Sequence, residues 1–283
     1  MLLAVLLVVG HHTAFRFRPD MADPVAAVFR NTGWIGVDVF FAISGFMITA
    51  ILVRDADDIG GFFRRRFFRI VPIFTVAVGV FVVASLVTGT QADILGRIWS
   101  PALFLNGWTI PFFGAENVPF KITWSLSVEE TAYILMGLAC FAAKRHLRIM
   151  LVAMLVVALV TRWVVVATGA FDLVDLYFFV PARLDAIAVG GFVALGYLHR
   201  VVIARSSAWL FAIAVVALIL LFQHVDIDAP FMPVVGYAMF GFATAGLVGA
   251  LANRADCSKH QSDIVPGFFY GWLINLGQLS YFV

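Results

Sequence analysis

An all-α, polytopic transmembrane helical bundle is the fold this sequence predicts, and three observations carry the prediction. The first is composition: of 283 residues, 63% are hydrophobic and only 13% charged, with a mean hydropathy of +1.00. Soluble domains carry about 25% charged residues, and one core of ordinary size cannot hide this much apolar surface from water. The second is that the apolar residues gather into runs close to the roughly 20 that a bilayer-spanning helix needs. The third is an uneven distribution of Lys and Arg between alternate loops, the signature of membrane orientation.

Taken in order, the runs cover Met1 to about Thr13, about Val37 to Val53, and about Ile70 to Val87. They continue at about Leu126 to Ala143, Ile149 to Ala170, Leu176 to Leu198, Ala208 to Phe222 and Phe231 to Ala252. From about Leu276 another begins, so the expectation is about eight full spans plus the start of a ninth.

Ile98 to Phe113 is also apolar, but Pro101, Asn106, Gly107 and Pro111 interrupt it. Charge placement arbitrates. With a cytoplasmic N-terminus and a stretch that does not cross, the cytoplasmic loops hold 12 of the 19 basic residues. These are Arg54, Arg64, Arg65, Arg66 and Arg69; Lys144, Arg145 and Arg148; Arg200 and Arg205; Arg254 and Lys259. The outer side keeps Arg16, Arg18, Arg30, Arg97 and Lys121, while Arg162 and Arg183 fall within spans. A crossing would move Lys144, Arg145 and Arg148 outside and erase the bias. The stretch is therefore expected to be a re-entrant or interfacial outer segment, which needs protein cover or a wet cavity at membrane depth. No repeat or long polar linker divides the chain, so residues 1–283 read as a single membrane domain.

The net charge of +2 is too small to imply a nucleic-acid partner. Cys140 and Cys257 have no metal-ligand spacing and read as reduced thiols. The N-terminus lacks the basic segment and small-residue cleavage site of a removable signal peptide.

Five features could carry chemistry. His11 and His12 close the first helix, where His12 lies roughly 16–18 Å along the axis from Met1; it is either a proton-moving group within the membrane or an interfacial residue. Asp38 heads the next apolar run, as a helix cap or as a functional carboxylate, and Ser44-Gly45 deeper in that run reads as close helix packing. Arg64, Arg65, Arg66 and Arg69, interleaved with phenylalanines, suit both an interfacial anchor and a phosphate-rich ligand. Glu129 and Glu130 follow Trp124 near the start of a span, and point about 100° apart, so at most one is expected to face a given pathway. Arg183 and Asp185 lie two apart in an apolar run and do not face each other on a helix, so each needs a partner elsewhere.

In this order the features resemble the acyltransferase 3 family of membrane-bound O-acyltransferases. The matching runs are Ala4 to His12, Gly33 to Thr49, Phe63 to Pro72, Trp124 to Tyr133, Arg183 to Gly191 and Leu276 to Tyr281. The resemblance implies a ten-helix bacterial inner-membrane enzyme that takes an acyl group, expected to be acetyl, from cytoplasmic acyl-CoA and places it on a hydroxyl of a cell-surface or secreted glycan. It implies acyl-CoA, a carbohydrate acceptor and the lipid bilayer as partners, with no nucleic acid, no metal and no permanently bound cofactor. Carried over by position, His12 is the catalytic histidine, Glu129 orients or charges it, and Arg183 pairs with a buried carboxylate or supports the thioester oxyanion. Arg64, Arg65, Arg66 and Arg69 hold the CoA phosphates. The family's basic partner of the histidine falls on Met1, and its last helices lie beyond Val283, so the chain is expected to be truncated at both ends. The rival expectation is a secondary transporter, for which intramembrane His, Glu, Asp and Arg are equally natural. That reading requires two-fold internal pseudo-symmetry, and none is visible.

Overall fold

The computed structural model describes residues 2–17, 33–54, 58–89, 92–198, 236–239, 241–246 and 249. The predicted runs Ala208 to Phe222 and from Leu276 onward, the basic residues Arg18, Arg30, Arg200, Arg205, Arg254 and Lys259, and Cys257 lie outside them. Among the described residues every regular element is helical and none is a strand. Four of the described helices are long and apolar enough to cross a bilayer. With no water in hydrocarbon to satisfy backbone groups, a helix, which bonds them within its own segment, suits these long apolar runs.

Helix α1 spans Leu2–Phe17 and packs along α2, Ile35–Arg54. Helix α3 runs over Ile59–Thr88. It begins well before the predicted Ile70, so the basic cluster lies inside its first turns. The reason is local: Asp58 caps the helix by accepting from the Gly61 backbone N–H at 2.8 Å, and nothing between Asp58 and Pro72 interrupts the backbone ladder. The outer face of α3, with Ile73, Val76, Val80, Val83 and Leu86 exposed, matches lipid tails.

The stretch from Ile98 to Phe113 does not form a span. It divides into α4 (Trp99–Ala102) and α5 (Asn106–Phe113), each far too short to cross. Buried Asn106 holds the segment together: its carboxamide oxygen accepts from Ser100, and its amide donates to the carbonyls of Pro119 and Phe120 and to Thr123 Oγ1, all within 3.1 Å. Phe104 and Phe120 sit at left-handed φ values of 58° and 52°, a conformation that costs an L-residue about 1–2 kcal/mol. Their rings stack on α3, Phe104 on Phe74 at 4.6 Å and Phe120 on Phe81 at 5.2 Å between centroids. Those stacks and the Asn106 bonds offset the strain.

Helices α6 (Trp124–Ala142) and α7 (His146–Thr168) form a hairpin across Ala143–Arg145. The single predicted span from Leu176 to Leu198 is broken. Short α8 (Leu173–Phe178) ends in extended Phe179, a 3-10 turn covers Val180–Arg183, and α9 runs over Leu184–Leu198. Pro181, which has no N–H and whose ring crowds the preceding turn, explains the break. Arg183 therefore sits on the turn and Asp185 in the first turn of α9, not in mid-helix.

The centre of the bundle is the α2–α9 contact. A Cβ on Gly45 would collide with the Ile187 carbonyl, and one on Gly190 with the Ala42 carbonyl, so the two backbones touch through reciprocal glycines. Helix α7 packs on the other side of α9, and α6 packs on both α7 and α2. The outer segment, the start of α2 and the start of α9 consequently share one end of the bundle.

Candidate active site

Halfway along α2, Ser44 turns away from the α9 seam that its neighbour Gly45 occupies, and its hydroxyl donates to Glu129 Oε1 on α6. The Tyr133 hydroxyl, one turn on, is within hydrogen-bonding reach of both. From α3, Arg66 closes the cluster. Its Nη2 lies 3.6 Å from Glu129 Oε2, its Nε donates to Glu130 Oε1 at 3.1 Å, and its guanidinium carbon sits 3.2 Å above the Tyr133 ring. The expectation that only one glutamate faces a given pathway is corrected here, because the flat guanidinium fork spans the angle between two adjacent side chains. Ser44 and Glu129 are buried, at 5% and 4% exposure. Arg66 and Glu130 keep some access, with side chains 16% and 21% exposed. The cluster thus has a closed side at Ser44 and an open side at Arg66 and Glu130. One guanidinium faces two carboxylates, which leaves room for one proton.

Toward the end of the bundle that carries the outer segment lie two fully buried ion pairs. Arg183 Nη2 donates to Asp38 Oδ1 at 2.7 Å, joining the α9 turn to α2. Arg162 of α7 donates from Nη2 to Asp185 Oδ2 at 2.7 Å and from Nη1 to the Ala182 carbonyl at 2.9 Å. Aromatic faces of Tyr177 and Tyr237, 4.7 and 4.4 Å from the Arg183 guanidinium carbon, complete its surroundings. Charges without water are tolerable only when paired this closely, and the two pairs clamp the Pro181 break between α2 and α7.

The residues expected to act together from the sequence are only partly assembled. Glu129 has Ser44, Tyr133 and Arg66 as partners. His12 lies on α1, exposed, with its ring edge-on to His11 at 5.5 Å between centroids, and the Lys121 ammonium of the outer segment is within electrostatic reach of it. Among the described residues no hydrogen bond or ion pair joins His12 to Glu129. Arg183 is taken up by Asp38. Of the four arginines, Arg66 turns inward while Arg64, Arg65 and Arg69 are exposed. Arg65 donates to Asp58 at 3.1 Å. Asp58, outside the membrane-spanning segments, is held below the usual carboxylate range by the Gly61 N–H first and by Arg65 second.

Sequence reasoning missed Ser44, Tyr133, Arg162 and Asn106 as parts of polar networks. For Arg162 the signal was present: an arginine in an apolar run requires an acid partner, and Asp185 required a base. For Ser44 there was none, because a lone serine beside a glycine is what close packing alone would produce.

The comparisons with known proteins identify the family. The sequence model of the acyltransferase 3 family, described as an acyltransferase domain, matches residues 2–283. A peptidoglycan O-acetyltransferase of Listeria monocytogenes is 28% identical over 148 residues, 47% of this chain and 22% of that protein. A Staphylococcus aureus (strain COL) protein, named as a candidate O-acetyltransferase, is 34% identical over 118 residues, 36% of this chain and 19% of that one. A Bacillus subtilis (strain 168) protein, named as a candidate peptidoglycan O-acetyltransferase, is 31% identical over 150 residues, 47% of this chain and 21% of that one. These alignments span about a fifth of the length of the relatives. No solved structure matches. With its family model aligned from Leu2 to Val283, this chain belongs to the acyltransferase 3 family.

Proposed function

We propose that the protein transfers an acyl group, acetyl in the first instance, from acyl-CoA to a hydroxyl of a cell-envelope glycan. The observation that carries this reading is the polar cluster of Ser44, Arg66, Glu129, Glu130 and Tyr133 inside an otherwise apolar bundle, built from the α2, α3 and α6 motifs of an acyltransferase family. A purely structural bundle has no use for two carboxylates and a guanidinium at that depth. The names of the Listeria and Bacillus relatives make peptidoglycan the first acceptor to try.

In this reading the protein lies in a bacterial inner membrane with its N-terminus cytoplasmic. The exposed Arg64, Arg65 and Arg69 then face the compartment that contains CoA, and their forked donors suit its phosphates. Arg66, already held by Glu129 and Glu130, links the donor side to the interior. His12 is the base that takes the proton of the attacking sugar hydroxyl, a task for which imidazole is the best-suited side chain near neutral pH. Glu129 supplies negative charge toward the reacting centre. Arg183, fixed by Asp38, has two further N–H groups, Nε and Nη1, with no hydrogen-bond partner among the described residues, and these are the donors offered to a developing oxyanion.

The test is His12→Ala in membranes supplied with labelled acetyl-CoA and peptidoglycan. The expected loss of transfer is on the order of 10²–10⁴-fold, the usual worth of a general base. Transfer at near wild-type rate, with normal expression, would sink the assignment. Replacing Arg64 and Arg69 together should raise the KM for acetyl-CoA while leaving that for the glycan unchanged, and equal changes in both would remove the arginines from the donor site.

A further inference from the structure

From the Ser44–Glu129 contact we infer that Ser44 is an acyl-carrying nucleophile, so that transfer proceeds through an acetyl ester on α2. The inference rests on the acyltransferase reading above and deepens it. Three features of the site support it. A hydroxyl donating directly to a carboxylate, itself oriented by a third group, is the arrangement that activates a nucleophilic serine; here Glu129 is the carboxylate, and Arg66 and Tyr133 orient it. Next, Ser44 stands at mid-depth, ten residues into the 20-residue α2, between a donor side rich in arginine and the end that carries the outer segment. A group handed across a bilayer needs a resting place about there. Finally, backbone contact through Gly45 and Gly190 locks α2 against α9, which holds Ser44 at a constant position.

The chemistry balances in two halves. Ser44 Oγ attacks the thioester carbonyl carbon as its proton passes to Glu129 Oε1. The C–S bond breaks, the CoA thiolate leaves and takes a proton from water at the donor mouth, and Glu129 keeps the serine's proton. That is the proton for which one guanidinium between two carboxylates leaves room. In the second half a glycan hydroxyl attacks the ester carbonyl while His12 takes its proton. The bond from carbonyl carbon to Oγ breaks, Oγ recovers the proton stored on Glu129, and His12 releases its own to water. The sum is thioester plus alcohol giving ester plus thiol, with no oxidant or reductant.

The experiment uses the full-length protein in membranes with labelled acetyl-CoA, first without glycan and then with added peptidoglycan. After acid quenching, label is expected on the α2 peptide that contains Ser44, and it should be discharged by the glycan. Ser44→Ala should abolish the label and lower the transfer rate at least ~100-fold, while Ser44→Cys, without glycan, should carry the acetyl group as a hydroxylamine-sensitive thioester. Either variant must elute from a sizing column as the wild type does. Label on His12 or elsewhere, or a folded Ser44→Ala variant within threefold of wild-type transfer, overturns the inference and leaves the acyltransferase reading standing. Absence of any transfer by the wild type overturns both.

Discussion

Asp38 and Arg183 are 145 positions apart in sequence and 2.7 Å apart in the fold, and at the residue scale this pair is the clearest case of a charge chosen by its partner. Removing either alone, as Asp38→Ala or Arg183→Ala, leaves a buried charge with no counter-ion and is expected to cost about 3–5 kcal/mol. An apolar double replacement, Asp38→Leu with Arg183→Met, should recover much of that loss. Thermal unfolding in detergent measures all three, and additive losses in the double variant would show that the two side chains do not depend on each other. Asp58 makes a gentler prediction at the surface. Its folded pKa lies below the ordinary carboxylate value of 3.8, because Gly61 N–H and Arg65 favour the charged form. Its contribution to α3 is therefore complete above that value and fades as pH falls through the lower folded one. An Asp58→Asn variant, which keeps an acceptor for the cap, should abolish that acid-range change and leave hydrogen exchange at Gly61 slow at neutral pH.

Between elements the same logic concerns backbones and not charges. Gly45→Ala and Gly190→Ala each push a methyl into a facing carbonyl across the α2–α9 contact. Each should lower the melting temperature and also transfer activity, since Ser44 is Gly45's neighbour. Where a glycine faces open space the penalty is absent: a Cβ on Gly79 meets nothing within 4 Å, so Gly79→Ala is the matched control. In the outer segment, Asn106→Ala removes the bonds to Ser100, Thr123 and two carbonyls. The expected cost is about 2–3 kcal/mol, seen first as protease sensitivity between Ile98 and Lys121. The spans around Leu126, Ile149 and Val37 were legible because long apolar runs need only counting. The Pro181 break and the early start of α3 were not, because helix ends depend on single caps and single prolines that a hydropathy average dilutes.

For the whole molecule the proposed sidedness is directly testable. Single cysteines placed at Arg65 and at Glu116, in a background with Cys140 and Cys257 replaced, should react with a membrane-impermeant thiol reagent from opposite faces of sealed vesicles. Labelling from the same face would refute the charge-based orientation and, with it, the assignment of Arg64, Arg65 and Arg69 to the donor side. By itself the sequence determined the solvent, the helical class and the residue types that need company: 63% hydrophobic residues call for lipid, and their gathering into runs of roughly 20 selects spanning helices that satisfy their own backbone. Only the tertiary structure decided who meets whom. Arg66 reaches two glutamates, Arg183 takes Asp38, Arg162 takes Asp185, and Ser44 faces Glu129. Those choices turn on the rotation and depth of one helix against another, and a run that is apolar all round carries no mark of either.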